Sequence, residues 1–384
     1  MFTPYYPKPT LKKIIFLLML SPSLWGQTWI DSLDLHGREV YMPANKYKWD
    51  WGQGTFLNSL IHLYQQKPAA EKERYLSYLR TAMDVSYDVA NGKHPNALAS
   101  GHAMAFLARI SGEQKYRLKA DELYQDYLKT PRTSNGGVSH RVETEELWDD
   151  TVYMLSMYML EMYRLTKEEK YIDELAFQVK AHSEKLAYWR TGLWVHGWDS
   201  DSLDYDDKCS IIGWADPVTR KSKEYWGRAN GWIAMAMVDI IESLPPAHPQ
   251  RQLFINELNN LVRLLPVLQH KETGHWFQLL DVTDNPANFL ESSCTAMFGY
   301  AMSKGIRLGV LPRVPFQASA DLAYQGIKKY SLLQVAGGAY LTPKNVSGGT
   351  CIGSRSYYFN RPQVTGTGFG IASFILFGLE YEKK

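Results

Sequence analysis

From Gly54 to the C-terminus, apolar residues return every three to four positions in segment after segment, and few runs show the two-residue alternation of a strand. A chain patterned in this way is predicted to be all-α. The segments are 54–66, 71–91, 96–111, 115–129, 146–166, 168–187, 226–243, 249–269, 290–308, 316–330 and 364–380, eleven in all, separated by Gly, Pro and polar breaks. Short links such as Ser111-Gly112 and the Lys167 region join several of them as helical hairpins with antiparallel neighbours. Hairpins in series stack as a solenoid or close as a ring. A ring of six pairs needs a twelfth helix before Gly54, where residues 28–53, with Pro43 and many aromatics, leave room for a short one.

Three connections are too long to be simple links, and long connections in compact domains usually carry function. They are residues 130–145, with Gly136-Gly137 and His140-Arg141; residues 188–225, with Trp194-Val-His196-Gly-Trp198-Asp199; and residues 331–363, with Gly348-Gly349 through Arg361-Pro362. Opening at one end of a helical ring, they would build a cleft there. The first leads into Glu145 to Leu160, where two adjacent carboxylates, Asp149 and Asp150, open a helix that is apolar around most of its circumference. A helix N-terminus favours an anion while burial favours the neutral acid. A carboxyl under both influences is suited to moving a proton. The competing reading is an Asp cap beside a second, solvated Asp.

Hydrophobic residues make up 45% and charged residues 21% of the 384, an ordinary globular balance able to bury a large core. A net charge of +2, with no basic stripe, argues against nucleic acid as a partner. Aromatics reach 13%, with 12 Trp and 25 Tyr, which suits a generous core or a cleft that stacks on flat ligands. Lys12-Lys13, the apolar run Ile14 to Leu20 and the Ser21 to Gly26 exit have the order of a secretory signal, too short to span a bilayer. Residues 1–26 are therefore expected to be a signal peptide. With no linker or composition shift beyond them, 27–384 is expected to form a single domain in a periplasmic or secreted protein, free of the membrane once the signal is removed. Cys209, Cys294 and Cys351 are odd in number and far apart; three packed or free thiols are expected, although one bridge could form in an oxidising compartment. No Cys or His spacing makes a metal cage, so neither metal nor cofactor is expected.

Four pieces read together carry a resemblance: Trp148-Asp-Asp150-Thr-Val-Tyr-Met154, Trp194-Val-His196-Gly-Trp-Asp199, Trp226-Gly-Arg228-Ala-Asn230-Gly-Trp232 and Glu291-Ser-Ser-Cys-Thr-Ala-Met297-Phe. In order and spacing, over about residues 45–380, they resemble glycoside hydrolase family 105, the unsaturated rhamnogalacturonyl hydrolases, and more distantly the family 88 unsaturated glucuronyl hydrolases. The resemblance implies an (α/α)6 barrel of helical hairpins with its cleft formed by long loops at one end. It also implies metal-free removal of a 4,5-unsaturated uronic acid from the non-reducing end of oligosaccharides left by polysaccharide lyases. In that chemistry a carboxylic acid protonates C4 of the enol ether, water adds at C5, and the hemiketal falls apart.

Asp150 matches the family's acid and base, and burial is expected to raise its pKa toward its working range. Asp149 stands where the family often has an apolar residue; it is expected to face solvent or, alternatively, to raise Asp150 by repulsion. Arg228 and Trp232, four apart on one helical face, suit a sugar carboxylate and a sugar ring. His140, Arg141, His196 and Gln278 complete the expected pocket. The Asp199–Asp207 stretch lacks the Gly and terminal Glu of a calcium loop and reads as a solvated loop. Asn96 occupies the place of a family Asp; an amide can hydrogen-bond a substrate hydroxyl but cannot take a proton.

Overall fold

The computed structural model describes residues 28–201, 209 and 213–383. The expected signal peptide and residues 202–207 of the acidic stretch lie outside the described residues. Twelve helices make the body of the protein. In chain order they are α1 (Trp29–Leu35), α2 (Trp51–Gln66), α3 (Ala69–Ser86), α4 (Gly101–Ser111), α5 (Gln114–Tyr127), α6 (Asp150–Thr166), α7 (Lys170–Leu186), α8 (Gly227–Ser243), α9 (Arg251–Val262), α10 (Ser292–Arg307), α11 (Arg313–Tyr330) and α12 (Gly368–Tyr381). The even-numbered helices form an inner ring, each packing on the next, with α12 returning to α2 to close it. The odd-numbered helices pack outside, α1 on α12. The fold is an (α/α)6 barrel, and α1, of seven residues, is the short twelfth helix that closure requires.

The two rings differ in sequence because they differ in surroundings. Inner α8 is buried continuously from Gly227 to Ile241, since it packs against neighbours on every side. Outer α7 buries only one stripe, including Tyr171, Leu175, Val179 and Leu186, and gives its other face to water. Very close packing in the inner ring is met by Gly231 of α8, where a Cβ would come within 2.8 Å of Met297 Sδ on α10.

The predicted segments correspond to these helices with boundary corrections: the helix of 71–91 ends at Ser86, that of 364–380 starts at Gly368 after a short strand, Gln363–Val364, and four other segments change more. The 146–166 segment begins as a strand, β1 (Glu146–Trp148), which pairs antiparallel with β2 (Gly197–Asp199) before the helix starts at Asp150. The 96–111 segment divides into a turn of helix, Pro95–Leu98, and α4. The 249–269 segment divides into α9 and Leu265–Leu268, and the first two residues of 290–308 form another short strand, Leu290–Glu291. The corrections at α4, α6 and α10 share a cause: these inner helices enter the barrel through short ribbons or turns that are as apolar as the helices themselves, whereas the break in 249–269 falls in the outer ring, after α9 ends at Val262. At β2, Gly197 admits Ile352 from the 331–363 loop; a Cβ there would lie 2.2 Å from Ile352 Cδ1. Next to Ile352, Cys351 is bonded to Cys209 of the 188–225 loop, which corrects the expectation of three free thiols; Cys294 alone is free, and buried. Among the described residues no helix is long and apolar enough to cross a membrane.

Candidate active site

The six inner helices all run away from one end of the barrel, and the three long loops gather at that end. Their N-terminal residues frame a cavity whose lining includes Trp51, Asp150, Trp226 and Arg228 from helix starts, Asn96 from the Pro95–Leu98 turn, and His140, Cys209 and Gly349 to Cys351 from the three loops. A second depression shares Asn96 and His140 and extends over His94, Arg141 and Glu143. A third shares Trp51 and runs along Asp50 and Phe369. Helix N-termini carry unpaired N–H groups and a partial positive charge, so this arrangement favours an anionic ligand.

At the cavity floor Asp150 is the first residue of α6, with its side chain 13% exposed. Its Oδ2 accepts a hydrogen bond from His196 Nε2 at 3.1 Å, and His196 Nδ1 lies 2.7 Å from the Tyr358 hydroxyl. With Tyr358 donating to Nδ1, the imidazole carries its proton on Nε2 and presents it to Asp150. Burial pushes the Asp150 carboxyl up, but the His196 hydrogen bond, with the positive charge of Arg228, more than offsets this and holds it below the usual carboxylate range. The expected upward shift is thus reversed, because the sequence does not reveal the His196 donor.

Asp149 takes the opposite state. Its side chain is fully buried, not solvated as expected; Oδ1 caps α6 by accepting the Asp150 N–H at 3.1 Å, and Oδ2 has no hydrogen-bond partner among the described residues. Burial, then the adjacent Asp150 charge, raises it well above the ordinary value. One oxygen each of Asp149 and Asp150 and a His196 ring nitrogen lie within 4.8 Å of one another, the one group among the described residues spaced to hold a metal ion. In the hydrogen-bonded arrangement above, His196 is turned to donate to Asp150 rather than to ligate.

His140 is stacked on Trp148 with ring centroids 4.6 Å apart and planes 5° apart. The Asn96 amide donates to His140 Nε2 at 3.1 Å, which leaves Nδ1–H to donate to Thr151 Oγ1 at 2.9 Å. Burial lowers His140 to about 3, so the ring is neutral. Arg228 is fully buried between Trp226 and Phe369, its guanidinium carbon 4.4 and 4.5 Å from the two ring centroids. It donates to the carbonyls of Ser347 and Gly348 at 2.5 and 2.7 Å. Those carbonyls are fixed because Glu291, the buried cap of α10, accepts the Ser347 N–H at 2.9 Å. The Trp226 to Trp232 motif is thereby accounted for: Asn230 clamps the Trp194 backbone by its N–H and carbonyl, and Arg228 is aimed at the cavity.

Three expected pocket residues do not line the cavity: His196 is fully buried against Asp150, and Trp232 and Gln278 lie further from it. Trp232 is in the barrel interior, stacked on Tyr153 at 4.7 Å, because the residue four beyond Arg228 is one helical turn deeper. Gln278 is buried behind the wall, accepting from Trp226 Nε1 and donating to Ser347 Oγ, and so braces residues that line the cavity. Arg141 lines the second depression, 3.5 Å from Glu143. Tyr358 was not legible: it is one of 25 Tyr and 162 positions from its partner His196.

Comparison with known proteins supplies a context for this geometry. The family described as Glycosyl Hydrolase Family 88 matches residues 28–384. The unsaturated rhamnogalacturonyl hydrolase YesR of Bacillus subtilis (strain 168) is 29% identical over 270 residues, covering 67% of this chain and 72% of that protein. An unsaturated 3S-rhamnoglycuronyl hydrolase of Alteromonas sp. (strain LOR) is 26% identical over 288 residues, covering 72% of this chain and 65% of that one. A family 105 glycoside hydrolase structure from C. acetobutylicum ATCC 824 superposes with a TM-score of 0.81 at 27% identity, covering 93% of this chain and 100% of that one.

Proposed function

This chain belongs to Glycosyl Hydrolase Family 88, and we propose that it removes a 4,5-unsaturated uronic acid from the non-reducing end of lyase-generated oligosaccharides, with Asp150 as acid and base. It is a glycoside hydrolase whose relatives act on rhamnogalacturonyl and rhamnoglycuronyl substrates. The observation that carries the assignment of Asp150 is its position: it is the carboxyl that reaches the cavity floor, oriented by His196 and facing Arg228. A uronate carboxylate fits the cationic end of the site, where Arg228 has donor capacity beyond its two carbonyl bonds and the inner-helix N-termini converge. Trp51, Trp148 and Trp226 line the cavity and give the sugar an apolar wall.

Protonated Asp150 transfers its proton to C4, the π electrons form the new C–H bond, and positive charge develops at C5 next to the ring oxygen. Water adds at C5 and returns a proton to Asp150. The hemiketal then releases the aglycone. This route needs no second carboxylate across the glycosidic bond, which agrees with an amide at Asn96.

The protein is further proposed to be exported. The Lys12-Lys13 flank and apolar run support a cleavable signal, and the Cys209–Cys351 bond is of the kind that persists in oxidising compartments. One experiment tests both readings: protein recovered from outside the cytoplasm is sequenced from its N-terminus and assayed on a panel of lyase products by loss of their ultraviolet absorbance, beside calorimetric binding. Turnover of at least one product, by protein starting near residue 27, is expected. Tight binding without turnover of any product would refute the hydrolase assignment, and an N-terminus at Met1 would refute signal removal.

A further inference from the structure

We propose that Asp149 is a positioning partner of Asp150 that stores the catalytic proton between turnovers, so that the two adjacent carboxyls work as a pair carrying one proton. The proposal rests on the assignment of Asp150 as acid and base. That assignment leaves a gap: the Asp150 carboxylate receives the His196 N–H at 3.1 Å, an arrangement that favours the ionised form, yet the reaction begins with a proton donor.

Geometry locates the missing proton. Asp149 Oδ1 accepts the Asp150 backbone N–H, whereas Oδ2 is buried without a hydrogen-bond partner among the described residues. An ionised oxygen left in that state loses its hydration with nothing in return, while a protonated one needs no donor. Two carboxyls this close cannot both ionise cheaply. The groups facing the pair decide which one keeps the proton. His196, His140 and Arg228 face Asp150, and Arg228 brings positive charge; Asp149 faces Asp150 itself and the buried Tyr358. The proton therefore rests on Asp149. The pair's oxygens lie within 4.8 Å, a separation that a carboxyl rotation or one water molecule spans.

The step balances. Asp149 gives its proton to Asp150 as Asp150 protonates C4, and the C4=C5 π bond is replaced by a C4–H bond. The pair is then briefly dianionic beside the cation at C5, which it stabilises. Water bonds to C5, and the proton it loses restores the pair. No oxidant or reductant enters, and Asp149, fully buried, never touches substrate.

Carboxyl carbon NMR of wild-type protein labelled at Asp, titrated with pH, reads the pair without any turnover. Two Asp carboxyls should respond to the same two titration steps, one below and one well above the ordinary carboxylate range. Asp281, which burial also raises, is assigned separately with Asp281→Asn. The second arm is Asp149→Asn, which keeps the cap acceptor but removes the stored proton. Because a donor is lost as pH rises through its pKa, and Asp150 alone is held low by His196, the alkaline limb of kcat should move to lower pH by about one unit or more. At neutral pH kcat should fall by about 10²-fold while KM changes less than about threefold. A wild-type spectrum with every Asp ionised at neutral pH would overturn the proposal, as would an Asp149→Asn profile parallel to wild type. If Asp149→Asn does not fold, the wild-type titration decides alone. Absence of wild-type turnover on every lyase product would instead defeat the assignment of Asp150, leaving the titration to report on the pair.

Discussion

Asn96 and His140 form a neutral couple on the cavity wall. The amide donates to Nε2, and the far ring nitrogen is tied to Thr151, so the Asn96 carbonyl oxygen is left for a ligand hydroxyl. Asn96→Ala removes both the orientation of His140 and that acceptor. Loss of one such hydrogen bond is worth about 1–1.5 kcal/mol, which predicts a KM raised about tenfold with kcat within about threefold, measured on whichever lyase product wild type consumes. A loss of kcat beyond 10²-fold at constant KM would instead place Asn96 in the chemistry. Individual residues were legible to different depths. Asp150, His196 and Arg228 stood out because they sit in the motifs that carry the family resemblance, and His140 because its loop leads into the Asp150 helix; Asp150, His140 and Arg228 line the cavity, while His196 is buried against Asp150. The protonation states were not legible, since they depend on Tyr358, His196 and burial, and none of these contacts is local in sequence. Trp232 was misread because sharing a face with Arg228 says nothing about depth along the barrel axis.

The inner helices show what periodicity can and cannot convey. Apolar character around most of the circumference marked the α6 segment in the sequence, and α8 and α12 are buried in the same way, but the same character concealed β1 and the break at Ala99–Ser100, where chain direction changes within an apolar run. Polar residues inside the ring were invisible as pairs. Lys304 of α10, fully buried, bonds Asp239 of α8 at 2.7 Å and Glu242 at 2.5 Å, and Tyr300 also donates to Asp239. This network ties α8 to α10. Burial raises the Glu242 carboxyl, but Lys304 and Arg307 outweigh it and hold the group down to about 2. Lys304→Met leaves Asp239 without its ammonium partner in the interior, and breaking a buried pair from one side costs about 3–5 kcal/mol. The low end of that range is expected, because Glu242 is about one-third exposed and keeps Arg307. A carboxyl held low contributes stability above its unfolded pKa and loses it as pH falls toward the folded value. The defect, read as a shift in urea midpoint, should therefore be larger at neutral pH than near pH 3. An unchanged midpoint at neutral pH would show that the pair adds nothing.

At the scale of the whole molecule, closure of the ring explains the site. Six inner helices that begin at one end bring six N-termini and three long loops to that end, and the pairing of β1 with β2 and the Cys209–Cys351 bond tie loop to loop around Asp150. Hairpin order and loop length narrowed this architecture to a solenoid or a ring, and the family resemblance pointed to the ring. The disulfide was not readable, since a separation of 142 residues is bridged only after the loops have met. In the function proposed here, this assembly serves one event, transfer of a proton through Asp150 to C4 of an unsaturated uronyl group. That event is tested most directly by running the reaction in deuterium oxide with wild type and Asp150→Asn on the same lyase product, and locating deuterium in the released sugar by NMR. Wild type should place deuterium at C4, whereas Asp150→Asn, folded and still binding the product, should be slower by about 10²- to 10⁴-fold. Release without deuterium at C4, or Asp150→Asn turnover near the wild-type rate, would contradict the claim.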